Sequence, residues 1–504
     1  MNKLLVFMSG KALAVILLVV FQILLVRLAD AKDYSTYAVL IAVTSTLNTL
    51  ASLGSQRLIP KYLGYARSNA VAHQTLKLVL ILTGCRLAAV IVLTLLTFLI
   101  TSKLQISTLY IATISLPLLL ALSISSVLYM DAELSSQSLN QQKLSRAVIV
   151  FDGTFRNLAI ISIYYLGLTL NPENIIYCVV IGQAIASAVL FSNVIKTLIG
   201  RAKSEKEDDQ LFSRKHIIGA AASGYIGGII SIASAPSTLR LVAATFLNPV
   251  SLTIFSFLQT IFSSLQRYTP GVLIMPFVEP WLMAKQGAAQ SKHRDVGTIL
   301  SIIIKTDVLL LSVVCCAAIF LGRTFIKLTL GVDAPETSAI IALMIAYLAL
   351  STAFRCLEVF QGFNASYRSL YVGSIISCIF LTLLFIYREA WGVWGILLVP
   401  IADGICRIIY FDLHSKSKTG IALVDWRTCA TLISMVTAIY LIAQRFPAIF
   451  DTATKQLIST VVALLIFTAI AIARGILSKN EANFLREKMP KRQSIKKIIG
   501  FLES

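Results

Sequence analysis

Charged side chains are scarce in this sequence: they make up 13% of the 504 residues, whereas hydrophobic residues make up 57%. A soluble domain carries about twice that share of charge, because charged groups cover its surface. The scarcity therefore excludes a soluble protein and indicates a polytopic membrane protein. The sequence also lacks the alternating ten-residue pattern of outer-membrane barrel strands, which leaves membrane helices as the expected structure.

Cysteine and histidine are too few and too scattered to indicate a chemical centre. The eight cysteines lie in or beside apolar runs, without metal-ligand spacing or a disulfide framework. The four histidines fall in predicted inner loops. The longest predicted outer connection, at residues 321–337, gathers no constellation of histidine, serine and acid. We therefore expect no metal, no cofactor and no enzyme activity.

Long apolar runs are what the sequence does contain. Each is close to the length of about 20 residues that a helix needs to span a bilayer. Fourteen such runs predict fourteen membrane helices, at residues 4–25, 37–56, 78–100, 109–130, 147–168, 175–195, 217–238, 251–276, 298–320, 338–358, 369–387, 391–411, 428–444 and 455–474.

The order of these runs predicts an all-α fold with two pseudo-symmetric six-helix lobes and two additional C-terminal helices. The N-terminal lobe comprises residues 1–200, and the C-terminal lobe comprises residues 216–414. A charged cytoplasmic linker at residues 201–215 separates them. The two additional helices lie within residues 415–476. The tail at residues 477–504 is basic and amphipathic, which suits a helix on the inner membrane surface, with a disordered tail as the alternative.

A loose internal repeat supports the two-lobe interpretation. In the first copy, Arg27 closes an apolar run and Pro60 follows 33 residues later; in the second, Arg240 closes a run and Pro276 follows 36 residues later. Internal repeats of this kind are typical of transporters with paired lobes. A similarity this loose also arises by chance in apolar sequence.

The distribution of basic residues predicts the orientation. With the N-terminus in the cytoplasm, 28 of the 44 lysines and arginines lie in inner segments, 9 lie in outer segments and 7 lie within helices. Both termini are therefore expected on the cytoplasmic side of a bacterial inner membrane. Topology and contact with anionic lipids account for the net charge of +20, so a nucleic-acid partner is not expected.

Four cations lie inside predicted helices without an acid on the same helix face. An ionised residue at the centre of a membrane helix costs about 2.5–3.5 kcal/mol, so we expect these cations to face water or an anionic ligand. All four lie about 10–13 Å from the inner ends of their helices. Together with two further arginines, they form the predicted substrate-binding set: Lys11, Arg86, Arg267, Lys305, Arg156 and Arg240.

This set predicts a central aqueous cavity between the lobes that binds a phosphate or pyrophosphate headgroup. Snorkelling of the cations to the membrane interface is the alternative. Two intrahelical pairs have the spacing of salt bridges, Asp152 with Arg156 and Asp403 with Arg407. Three acids are candidates for coupling to protons or sodium ions: Asp152, Asp307 and Asp403.

Small residues and prolines around the seventh and eighth predicted helices indicate sites of bending. Small residues allow helices to approach closely, and proline or glycine permits a kink. The predicted hinge and gating residues are Gly224, Gly227, Gly228, Pro236 and Pro276.

Three parts of the sequence resemble the O-antigen and polysaccharide flippases of the Wzx type, within the multidrug/oligosaccharidyl-lipid/polysaccharide exporter superfamily. The first part is the opening of the chain, the second covers the seventh and eighth helices, and the third is the loop before the tenth helix. The matching segments are 25–28, 33–38 and 53–61; 240–242, 248–251 and Pro276; and 325–331 and 334–338.

The resemblance implies a two-lobed fold of 12 to 14 helices that moves undecaprenyl-pyrophosphate-linked sugar units from the inner to the outer leaflet by alternating access. It also implies a lipid-linked oligosaccharide substrate and other polysaccharide-assembly membrane proteins as partners. The family usually carries an acid before the arginine of the seventh-helix motif. In this sequence Leu239 occupies that place, before Arg240.

Two other functions remain open at this point. The first is a cation-coupled small-molecule or drug antiporter of the same superfamily. Such antiporters resemble one another in having an acidic residue in the first lobe that binds the coupling cation. In this sequence the only acid expected to be buried there is Asp152, which has Arg156 beside it. The second is a membrane polysaccharide polymerase or ligase. Such enzymes resemble one another in having a long outer loop for the chemistry, whereas the predicted outer connections of this sequence are short.

Overall fold

A computed structural model describes most of the chain. The described residues are 2–55, 72–103, 115–139, 141–201, 235–266, 291–331, 337–363, 367–419, 423–445 and 453–473, with a few further residues between 58 and 63, between 217 and 232, and at 269. They are helical, with no strand within these ranges, which confirms the predicted all-α fold of a multi-pass membrane protein. Among the described residues, eight helices are long and apolar enough to cross a membrane, and three shorter helices are also apolar.

The chain divides into two compact units, of which the first contains residues 1–261 and 385–393. Each of its helices except the seventh overlaps a predicted apolar run over more than half of its length. They are α1 (Asn2–Leu28), α2 (Ala31–Leu50), α3 (Ala72–Lys103), α4 (Leu116–Ser138), α5 (Gln142–Tyr165), α6 (Pro172–Arg201), α7 (Pro236–Ala244) and α8 (Pro249–Gln266), whose last turn continues past the unit.

The second unit contains residues 262–384 and 394–504. Its helices are α9 (Ser291–Leu330), α10 (Thr337–Phe363), α11 (Tyr367–Ile386), α12 (Arg388–Thr419), α13 (Trp426–Arg445) and α14 (Ala453–Ala473), of which α11 and α12 cross the boundary of the unit near residue 390. A break divides α12 at Gly392, which has a φ of 51°. The predicted linker and the tail fall almost entirely outside the described residues.

Two helix boundaries differ from the predicted runs for local reasons. The second run was predicted to reach residue 56, but α2 ends at Leu50, and the left-handed backbone at Leu53 and Gly54 prevents its continuation. The seventh run was predicted to continue to residue 238. Instead, Ala235 is extended and Pro236 begins the separate helix α7, because proline favours the first turn of a helix.

Close contacts between helices hold the first unit together. Gly153 of α5 leaves room for the side chain of Leu17 in α1, and Asn157 donates a hydrogen bond to the Leu17 carbonyl at 2.9 Å. Gly54 approaches the backbone of Ala221 so closely that a Cβ at position 54 would lie 2.9 Å from the Ala221 Cα. These small residues therefore allow backbone-to-backbone packing that larger side chains would prevent.

In the second unit, α9 is the longest helix and α10, α13 and α14 all pack against it. A buried core lies where α9, α10 and α12 meet the segment before α13. Asp412 fastens that segment: its carboxylate accepts hydrogen bonds from the backbone of Leu423 and Val424 and from the indole of Trp426, at 2.8–3.1 Å. The residue after Val424, Asp425, is thereby held at the start of α13.

Candidate functional site

Two of the predicted charge pairs are formed as expected. On α5, Arg156 Nη2 lies 2.6 Å from Asp152 Oδ2, and Arg156 Nε donates to Asp152 Oδ1 at 2.9 Å. On α12, Arg407 lies 2.7 Å from Asp403, which also accepts a hydrogen bond from Ser377. Both pairs follow from the four-residue spacing that places the partners on one helix face.

Arg86 is not an unpaired cation, so this part of the prediction is wrong. Its guanidinium forms an ion pair with Asp131 of α4 and donates a second hydrogen bond to the carbonyl of Asn48. Arg86 and Asp131 are both 0% exposed, so Arg86 faces no water-filled space here. Asp131 also shows that Asp152 is not the only buried acid of the first unit. The partner was missed because the predicted fourth helix ended at residue 130.

Lys305 also has an acidic partner, contrary to the prediction. Its ammonium lies 3.0 Å from the carboxylate of Asp425, which precedes α13. Burial alone would raise the pKa of the Asp425 carboxyl, but the hydrogen bond and charge of Lys305 and the hydrogen bonds from Thr428 lower this pKa below its usual value. Asp307, two residues further along α9, is fully buried.

We expect the Lys305–Asp425 pair to lose its effect only in acid. A carboxyl whose pKa is lower in the folded protein contributes stability above its usual pKa of 3.8, and this contribution disappears as the pH falls through the lower folded value. Because Asp425 is about a third exposed, Asp425→Asn should cost only about 1 kcal/mol at pH 7. Thermal unfolding of both proteins from pH 7 to pH 3 should show the difference shrinking; a constant difference would contradict it.

Arg240 differs from the other buried cations. It is 8% exposed, and its guanidinium donates to Gln259 Oε1 at 3.0 Å and to Thr260 Oγ1 at 2.9 Å. Two longer contacts, at 3.4 Å, reach the carbonyls of Ala38 and Ser256. Among the residues that the structure describes, no carboxylate contacts Arg240. Its charge is therefore held only by neutral acceptors.

Polar side chains from α1 and α2 surround this arginine. The Tyr34 hydroxyl donates to Gln22 Oε1 at 2.8 Å, and the Tyr34 and Tyr37 rings lie 6.3 Å apart. Tyr37 directly precedes Ala38, whose carbonyl contacts Arg240. We call Gln22, Tyr34, Tyr37, Arg240 and Gln259 the Arg240 site. All five side chains are buried in the first unit.

This site can bind an anion, because a buried guanidinium without a carboxylate partner has hydrogen-bond donors and an uncompensated charge. The sequence identified Arg240 and Arg156 but not the residues around them. Gln22, Tyr34, Tyr37 and Gln259 carry no formal charge, so a search for charges in apolar runs passes over them. Their convergence depends on which helices adjoin.

For the remaining predicted site residues, the structure does not describe the position of the side chain. The helix containing Lys11 is described, but the position of its side chain is not. The following lie outside the described residues: Arg267, Gly224, Gly227, Gly228 and Pro276. Their predicted roles in substrate binding and gating stay predictions.

Comparison with known proteins gave a clear result only at the level of structure. No family model matches the sequence, and no curated protein matches it. Among solved structures, the lipid II flippase MurJ in an inward closed conformation is similar, with a TM-score of 0.59 and 14% identity over 92% of this chain and 98% of that one.

Two MATE transporters are similar at the same identity of 14%. The MATE multidrug transporter DinF-BH, solved as a complex, has a TM-score of 0.57, covering 83% of this chain and 95% of its own. A point mutant of the Vibrio cholerae MATE transporter VcmN has a TM-score of 0.55, covering 83% and 97%. The chain therefore has the fold of this lipid II flippase and of these MATE transporters.

Proposed function

We propose that this protein is a flippase that moves undecaprenyl-pyrophosphate-linked oligosaccharide units, such as O-antigen repeats, from the inner to the outer leaflet of the bacterial inner membrane. The observation that carries the proposal is Arg240, a buried arginine with neutral acceptors and no carboxylate among its described contacts. The fold shared with a lipid II flippase supports it, because that protein also takes a lipid-linked substrate.

The chemical argument concerns the charge of the cargo. Removing a guanidinium from water without an opposing charge costs several kcal/mol. A phosphate oxygen that accepts the remaining Nη1–H of Arg240 would offset this cost with a charge-assisted hydrogen bond. Arg156 is paired with Asp152 and contributes little net charge, so Arg240 supplies the positive charge of the site. A cationic cargo would instead meet repulsion.

The proposal includes alternating access between the two predicted lobes. Lys11 and Arg267 would extend the positive lining toward the inner leaflet. The glycines at 224, 227 and 228, with Pro236 and Pro276, would permit the bending that opens and closes the path. Other polysaccharide-assembly membrane proteins would supply the substrate and receive the product.

A cation-coupled antiporter is the second candidate, because MATE transporters share the fold. Coupling to protons or sodium ions needs a carboxylate that can bind the ion. Asp152 and Asp403 are both engaged by arginines, at 2.6 and 2.7 Å, which favours the anionic cargo over this alternative.

The proposal is tested by reconstitution into liposomes that contain an undecaprenyl-pyrophosphate-linked sugar, with transfer between leaflets followed by a membrane-impermeant sugar oxidant. Arg240→Gln should reduce the transfer rate at least about tenfold, since a charged hydrogen bond contributes about 1.5–3 kcal/mol. Arg240→Lys should retain part of it, because the charge remains but the paired donors do not.

Arg427→Gln is the matched control, because it removes one positive charge from an exposed position at the start of α13. It should transfer the lipid at the wild-type rate. Absence of lipid transfer by the wild type, together with proton-driven uptake of a cationic dye, would replace the flippase proposal with the antiporter.

A further inference from the structure

The buried cations of the described residues follow one rule with one exception. Arg86, Lys305 and Arg407 each contact an aspartate carboxylate, and so does the half-buried Arg156. Arg240 differs from them because its partner is the neutral side-chain amide of Gln259 and not a carboxylate. Gln259 is therefore a neutral residue in a place where this protein otherwise uses aspartate.

Gln259 has the size and shape of a glutamate and differs from it in charge. Its Oε1 accepts the Nε–H of Arg240 at 3.0 Å, and a glutamate oxygen in the same place would make the same hydrogen bond with a full negative charge. That change would convert Arg240 from an uncompensated cation into one half of an ion pair. An ion pair already neutralised has little affinity for a further anion.

We infer that Gln259 is a specificity-determining residue, whose neutrality keeps the charge of Arg240 available and so selects anionic over cationic cargo. This inference rests on the proposed function for the identity of the cargo, but the selection by charge is a property of the Arg240–Gln259 pair itself. Gln259 acts by leaving the guanidinium charge uncompensated and by fixing its orientation. Thr260 Oγ1 accepts a hydrogen bond from Nη2 of Arg240 at 2.9 Å, and this neutral acceptor likewise leaves the guanidinium charge uncompensated.

A purely structural role for Gln259 makes the opposite prediction for two variants. Gln259→Glu preserves the size of the side chain and the acceptor, whereas Gln259→Met preserves the size and neutrality but removes the acceptor. If the side chain only supports the structure through its hydrogen bond to Arg240, the methionine variant should be the more damaging one. If neutrality is what matters, the glutamate variant should be the more damaging one for anion binding.

The experiment measures binding of two probes to the full-length protein in nanodiscs of neutral lipid. The anionic probe is undecaprenyl pyrophosphate, and the cationic probe is a rhodamine dye with a fixed positive charge. We expect Gln259→Glu to weaken binding of the anionic probe at least about tenfold and to strengthen binding of the cationic probe. Gln259→Met removes the acceptor that orients Arg240 but leaves its charge uncompensated, so it should weaken binding of the anionic probe less than Gln259→Glu does and should not strengthen binding of the cationic probe. Raised salt should reduce the affinity of the wild type for the anionic probe more than that of Gln259→Glu.

A second pair of variants covers the case in which Gln259→Glu does not fold. Thr260→Asp introduces the negative charge at Nη2 of Arg240, and Thr260→Asn is its neutral control. The aspartate variant should repeat both the loss of anion binding and the gain of cation binding, whereas the asparagine variant should lose less anion binding and gain no cation binding.

The outcomes separate the inference from the proposed function. If the wild type binds undecaprenyl pyrophosphate and the acidic variants bind it equally well, the inference is wrong and the flippase proposal stands. If the wild type does not bind this lipid but the acidic variants still gain affinity for the cationic dye relative to their neutral controls, the proposed function fails and the selection by charge stands. If the acidic variants shift neither probe relative to their neutral controls, Gln259 does not select by charge.

Discussion

Replacing Asp131 with asparagine should destabilise the first unit by about 3–5 kcal/mol, because it leaves the buried guanidinium of Arg86 without its counter-charge. Both side chains are 0% exposed, so water cannot replace the lost carboxylate. The cost is increased by the lack of alternative acceptors: the Nε of Arg86 already has no hydrogen-bond partner among the described residues.

The measurement is thermal unfolding in detergent, with Glu133→Gln as the control. Glu133 lies on the same helix, two residues further on, is only partly buried and accepts a hydrogen bond from the exposed Gln137, so its loss removes an acid that is less enclosed than Asp131. A double variant, Asp131→Leu with Arg86→Met, should recover much of the stability, since apolar residues of similar volume often replace a buried pair without loss. If Asp131→Asn unfolds at the same temperature as Glu133→Gln or at a higher one, the Arg86–Asp131 pair does not contribute the expected stability.

Gly54→Ala should also destabilise the first unit strongly, because a side chain at position 54 would raise the free energy of the folded state in two independent ways. The backbone at Gly54 has a φ of +78°, where an L-residue costs about 1–2 kcal/mol. The added methyl would also press against the backbone of Ala221, which cannot rotate away as a side chain would. Overpacking of this kind typically costs a further 1–3 kcal/mol or so.

Gly167→Ala separates the two costs. Gly167 has a φ of +70°, but a Cβ there would meet nothing within 4 Å, so only the cost of the backbone conformation applies. Unfolding in increasing concentrations of a denaturing detergent should therefore rank the proteins as wild type, Gly167→Ala and Gly54→Ala, in order of falling stability. Equal loss in both variants would mean that the close approach of the two backbones contributes nothing.

The helices could be predicted from the sequence because a bilayer demands a fixed apolar length, and each of the fourteen runs overlaps a helix of the structure. The α5 and α12 charge pairs could be predicted for a similar reason, since spacing along one helix is a property of the local sequence. What could not be predicted was pairing between helices. Asp131 lies 45 residues from Arg86 in sequence, and an apolar pattern does not say which helices are neighbours.

The residues around Arg240 could not be predicted either, because they also come from different helices. The resemblance to flippases drew attention to Arg240 and to Leu239, where an acid was expected, and Leu239 is indeed buried without a charge beside the arginine. The neutral acceptor lies instead on α8, 19 residues along. A glutamine in an apolar run gives no signal by itself, so its importance emerges only from its position next to a buried charge.

The length of α9 has a mechanical consequence. Its 40 residues extend about 60 Å, roughly twice the thickness of the hydrocarbon core. A stiff rod of that length works as a lever: a tilt of about 10° would displace one end by about 10 Å relative to the other. Because α13 and α14 pack directly on α9, they would swing with it. Their lipid-facing surfaces would then push the surrounding acyl chains aside, so the elasticity of the bilayer would oppose or assist each tilt.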